Sequence, residues 1–141
     1  MSGRAERRQG QPLSPLLRAQ LGKYFPELDL DPVRLHQGVP RYVPGRPAGY
    51  VSRQRIFLAA GALQFADAEF LALVAHELVH VRQYRELGPW RFRCAYLWEY
   101  LAGRLRGQEH AAAYRNISFE RAAREVEERV RRDFARTPQT T

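Results

Sequence analysis

The sequence predicts an α+β domain: an N-terminal helix, a short antiparallel sheet, then a long helix and two or three further helices. Three observations carry this. Residues 28–60 are broken by four prolines and three glycines, so only short strands fit there. From Asp67 onward the apolar residues recur three or four apart, the helical period. At 141 residues and 45% hydrophobic content the chain has the size and composition of one globular domain.

The elements follow in order. Residues 1–12 are polar, with Arg4, Arg7 and Arg8, and read as a flexible tail; 13–136 form the domain and 137–141 a second tail. Ser14-Pro15 is a helix start, serine as N-cap and proline at the first helical position, and Leu16, Leu17, Leu21 and Tyr24 follow until Pro26. Val33–His36 alternates apolar and polar, and Tyr50-Val51 with Arg55–Leu58 forms a hairpin around Ser52–Gln54. A helix capped by Asp67 runs to about Leu87, where Gly88 stops it and Pro89 starts another to Arg106. In that second helix Leu97, Trp98, Leu101 and Leu105 form a stripe suited to packing under the first, with Cys94 as a small core residue. A last helix, from Asn116 or Ser118 to about Arg136, carries Phe119, Ala122, Ala123, Val126, Val130 and Phe134 on one face.

Composition excludes several classes. A lone cysteine rules out an internal disulfide framework and a multi-cysteine zinc finger. The longest apolar run, Phe70–Ala75, is six residues, so no membrane span is expected. No secretory signal is visible, which points to a cytoplasmic protein or one exported by a non-classical route. The net charge is +8, with 23 basic residues against 15 acidic ones. The arginines are spread along the chain, and those beside Trp90, Phe92 and Tyr96 read as snorkelling from a packed helix, so nucleic acid is disfavoured. A buried second helix is likewise preferred to one lying on a membrane surface.

The chemistry sits in Ala75-His76-Glu77-Leu78-Val79-His80-Val81, a His-Glu-x-x-His sequence in mid-helix. Residues i and i+4 share a helix face, so His76 and His80 can hold one cation while Glu77 lies beside it as a proton acceptor. Zinc suits two imidazoles and leaves a position for water, whose pKa it lowers toward about 7. A third ligand is needed. Cys94, His36, Glu99, Glu109, His110 and Glu125 are placed less well than Glu120, in the first turn of the last helix. The residues alone leave Glu120 evenly divided between ligand and partner of the helix dipole. Gln83 falls on the histidine face one turn beyond His80, either to support a ligand or as a merely polar residue.

The run Ala75–Tyr84 resembles the gluzincin branch of zinc metallopeptidases, especially its small minigluzincin-like members. It is similar also to the bacterial metallopeptidase-like domain of polymorphic toxins and contractile-injection-system cargo. Ile117–Ala123 resembles the glutamate helix of those proteins. The resemblance implies a small zincin-like fold, Zn2+ held by His76, His80 and Glu120, and hydrolysis of a peptide or protein substrate with Glu77 as general base. It also implies that Arg55, Ile56, Phe57 and Leu58 form the substrate-binding edge strand. Tyr114 and His110 become candidate catalytic donors to the oxyanion because they closely precede Glu120. The related glutamate helices often carry an acid two or four positions on, where this chain has Ala122 and Arg124. A monomer is expected, and the alternative function is a catalytically silent or latent zinc-holding scaffold.

Overall fold

The computed structural model describes residues 10–45, 47–64 and 67–135. Of the expected tails, 1–12 and 137–141, residues 1–9 and 137–141 lie outside the described residues. The elements are β1 (Gln11–Pro12), α1 (Pro15–Leu21), β2 (Arg34–Gln37), β3 (Gly49–Ser52), β4 (Arg55–Leu58), α2 (Asp67–Leu87), α3 (Pro89–Leu105), α4 (His110–Arg115) and α5 (Ser118–Ala135). The architecture is α+β, as the sequence predicts. Short 3-10 turns follow α1 and β4.

Ser14 caps α1, its Oγ accepting from the Leu17 amide at 3.2 Å. Gln11 and Pro12, expected in the tail, instead pair with Leu35 and Arg34 of β2. The strand order is β1-β2-β4-β3, and β2 runs parallel to β4, so the sheet is mixed and not antiparallel. The proline-rich segment after β2 carries the chain past β4, and β3 then returns beside β4 as the hairpin partner. The hairpin turn is Arg53-Gln54, with Arg53 at φ 60°. Arg55–Leu58 is therefore an interior strand hydrogen-bonded on both sides, and the expectation that it offers a free edge is corrected: the edges are β1 and β3, and β3 is the one that lines the cleft. Burial agrees, since Ile56 and Leu58 are enclosed.

The long helix α2 lies between the sheet and α5, and Leu71, Val74, Leu78, Val79 and Val81 are buried around most of its circumference. Each such side chain contributes roughly 1.5–3 kcal/mol by leaving water. The stripe of α5 packs as expected, Ala123 and Val130 fully and Phe119, Ala122, Val126 and Phe134 in part. The expected packing of α3 is overturned: Leu97, Trp98, Leu101 and Leu105 are exposed, and so is Cys94. The inward face is Phe92, Tyr96 and Gly103 instead, where Gly103 lets Ala113 of α4 approach. Among the described residues no helix is long and apolar enough to cross a membrane.

His36 on β2 is buried and stacked on Phe57 at 4.7 Å. Burial, with help from Arg55, lowers its pKa from 6.5. The neutral ring is thus favoured in the fold, and stability is complete above about pH 6.5 and declines as pH falls through the lowered folded value. Thermal melts in chelator at pH 7.5 and 5.5 should show a smaller acid-side loss for His36→Phe than for the parent; equal losses would assign the effect elsewhere.

Candidate metal centre

The periodicity of α2 brings His76 and His80 onto one face, ring centroids 5.1 Å apart, at the floor of a cleft of about 710 Å³. Glu120 reaches them from the first turn of α5. Its position is set from behind: the Glu99 carboxylate on α3 accepts from the Ser118 amide and hydroxyl at 3.3 and 2.8 Å, capping that helix end. Glu99 therefore holds the glutamate helix and not a cation.

Glu120 Oε2 lies 3.1 Å from His76 Nε2, and Oε1 lies 3.2 Å from His80 Nε2. One donor atom from each of the three residues falls within 4.8 Å of the others. The outer ring nitrogens face polar partners, His80 Nδ1 in a hydrogen bond and His76 Nδ1 at ion-pair distance only. Gln83 Nε2 donates to the Phe119 carbonyl at 3.1 Å, which leaves its Oε1 to accept from His80 Nδ1 at 2.9 Å. With a metal ion bound, that contact would leave the His80 lone pair on Nε2, on the Glu120 side of the ring. His76 Nδ1 lies 3.4 Å from Glu127 Oε1, which aims its Nε2 the same way. Glu127 is in turn 3.7 Å from Arg131, and Arg131 is paired with Glu69 at 2.7 Å.

The electrostatics suit a cation. Burial alone would lower His76, but the adjacent Glu120 and Glu127 carboxylates outweigh it and push the group up to about 10. Burial would raise Glu120, yet the two imidazoles pull it far below the carboxylate range. Burial dominates at Glu77, which is only 5% exposed, and raises it despite the neighbouring imidazoles. Three acids, Glu77, Glu120 and Glu127, thus surround two imidazoles, and a divalent ion would take the place of the proton that His76 holds. The groups present fit such an ion: His76, His80 and Glu120 as ligands, with Gln83 and Glu127 orienting the rings.

Glu77 shares the cleft but stands outside the ligand group. β3 crosses directly above it: a Cβ on Gly49 would overlap Glu77 Oε1 and lie 2.8 Å from its Cδ. Tyr114 and His110 also line the cleft. Tyr114 Oη, however, donates to Glu120 Oε1 at 3.1 Å, beside Tyr96 Oη at 2.9 Å. Burial first and the Glu120 charge second raise both phenols, which stay protonated donors. His110 contacts Tyr100 Oη at 2.7 Å. His36 lines a separate, smaller cavity at β2. Sequence reasoning missed Glu127, Tyr96 and Gly49. Glu127 had a signal: it lies seven residues after Glu120, two turns along the same face.

Replacing either orienting group should weaken metal binding about 10–100-fold, as such partners generally do. Competition with a chromophoric chelator should show this for Glu127→Ala and Gln83→Ala; unchanged affinity in both would leave the rings oriented by packing alone.

Comparison with known proteins gives one family. The model of the eCIS core domain matches residues 12–88, more than half of the chain, spanning β1 through α2 with both histidines. No curated protein and no solved structure matches. The chain belongs to the eCIS core domain family, eCIS denoting the extracellular contractile injection system.

Proposed function

We propose that this chain is a zinc-dependent hydrolase of peptide bonds, carried as cargo or as a component of a contractile injection system. The observation that carries the reading is the convergence of His76, His80 and Glu120 at the floor of an open cleft beside a buried, non-ligating Glu77. Two imidazoles and a carboxylate are a donor set suited to catalytic zinc. When bound, the ion would supply Lewis acidity and lower the pKa of a water molecule.

The chain's own residues do the rest. Glu77 accepts the proton from the attacking water at its carboxylate and returns it to the leaving amine. Tyr96 and Tyr114 fix Oε1 of Glu120, so this carboxylate keeps one orientation. The role expected for Tyr114 at the oxyanion thus gives way to one in positioning a ligand. The substrate backbone adds to the free edge of β3, and Tyr50, Tyr84 and Phe92 line the cleft for its apolar side chains.

The test is metal content by mass spectrometry together with cleavage of a fluorogenic peptide library, for the parent chain and Glu77→Gln. One zinc per chain and cleavage lost in Glu77→Gln support the reading; absence of stoichiometric zinc, or equal cleavage by both proteins, rejects it. The family match favours a second reading, a zinc-holding scaffold within the injection apparatus. Stoichiometric zinc with no cleavage of any library member selects it.

A further inference from the structure

The outer face of α3 has no part in the metal centre. Trp90, Cys94, Leu97, Trp98, Leu101 and Leu105 recur at helical spacing and fall within an arc of about 100°. All six are exposed, Trp90 by 77%, Trp98 by 67% and Leu105 by 84%. The remaining exposed positions of the helix are Arg91, Arg93 and Arg104, which flank this arc on both sides, and Arg106 follows at its end. The one acid of α3, Glu99, is turned inward onto Ser118. The exposed positions of α3 are thus all apolar groups and arginines, while Glu99 and Tyr100 are half-buried.

The charge pattern selects the occupant. A second copy pairing through this face antiparallel would set Arg91 and Arg93 against Arg104 and Arg106, and a parallel pair would set each arginine against itself. Neither has an acid at an exposed position of α3 to offset the repulsion. A polyanion alone would meet the arginines but leave Leu97, Leu101 and Leu105 in water. A lipid surface meets each requirement: the apolar arc sinks to the acyl boundary, tryptophan sits at the headgroup level, and flanking arginines reach phosphates on both sides.

We propose that α3 is a docking helix that lies flat on an anionic membrane, with Trp90 and Trp98 as its interfacial anchors. The +8 net charge adds long-range attraction to such a surface. No span is involved: a helix of 17 residues lying in the interface plane suffices.

Both tryptophans of the chain are on this face, so intrinsic fluorescence reports its burial without a label. The full chain is titrated with vesicles of phosphatidylcholine alone and of phosphatidylcholine with about 30% phosphatidylglycerol, in about 50 and about 300 mM salt, which separates surface-charge attraction from apolar insertion. The expected result is a blue shift and co-sedimentation with the anionic vesicles, weakened by salt. Arg91→Glu with Arg104→Glu should weaken binding at least about thirtyfold, from roughly 1 kcal/mol for each arginine lost at the surface. Trp98→Glu with Leu101→Glu should abolish it with circular dichroism unchanged, since both side chains are exposed. Three results would overturn the proposal: no binding to anionic vesicles at low salt, binding indifferent to both pairs of substitutions, or a dimer in light scattering that Trp98→Glu with Leu101→Glu dissolves.

Discussion

On the proposed function, Glu77→Gln should lower peptide hydrolysis by about 10²–10⁴-fold, the range that a positioned proton acceptor supplies, while metal content stays at the parent level. Glutamine has nearly the same volume and occupies the same buried site, so the ligand group is undisturbed; what it lacks is a basic oxygen. The ligand substitutions His80→Ala and Glu120→Gln should behave differently, losing metal and activity together, because Glu120 Oε1 and Oε2 each face one of the two Nε2 atoms. Stability separates the roles further. A carboxylate 5% exposed carries a desolvation cost that the neutral amide avoids. Glu77→Gln should therefore melt at or above the parent's temperature in the presence of chelator. A lower melting temperature with activity falling in proportion would assign Glu77 to the architecture. This expected opposition of stability and activity is the usual signature of a site whose chemistry opposes the fold.

What the sequence made legible divides by range. The pair His76 and His80 and the sideways Glu77 follow from helical period alone, and the Gly88-Pro89 punctuation ends α2 and starts α3 where expected. Glu120 was half legible: its first-turn position fits both a ligand and a dipole partner, and only the fold brings it to the imidazoles. Glu127 escaped because an acid was sought two and four positions after Glu120, whereas the face recurs at seven. Strand order escaped because it is non-local. Arg55–Leu58 has the pattern of a strand, but nothing within it tells an edge from an interior position, and the proline-rich crossover from β2 to β3 decides that. In α3 two faces compete: Phe92, Tyr96 and Gly103 on one, Trp90, Leu97, Trp98, Leu101 and Leu105 on the other. Periodicity finds both. The core takes the one whose residues include a glycine for close approach and a tyrosine long enough to reach Glu120.

Gly49→Ala should disable the site from outside the set of chemically active side chains. Gly49 faces Leu58 in the β3–β4 pair, and its backbone is not in the left-handed region, so alanine brings no dihedral strain there. The obstacle is steric: the new Cβ overlaps Glu77 Oε1 and lies 2.8 and 3.0 Å from Cδ and Cγ. Glu77 is enclosed, so relief requires either its rotation into the cleft or displacement of the edge strand. The first misplaces the proton acceptor, and a shift near 1 Å in such a group lowers turnover about 10²-fold. The second disturbs the strand to which the substrate would add. Overpacking of this kind also reduces stability by about 1–3 kcal/mol. Zinc content should stay at the parent level, because His76, His80 and Glu120 lie outside the overlap. A double-mutant cycle isolates the cause. In a Glu77→Ala background the space is free, so Gly49→Ala should lose most of its stability cost, a coupling of about 0.5–3 kcal/mol between the two positions. Additive losses, or Gly49→Ala turning over peptide within twofold of the parent, would detach β3 from the placement of Glu77 and leave the strand only its structural part.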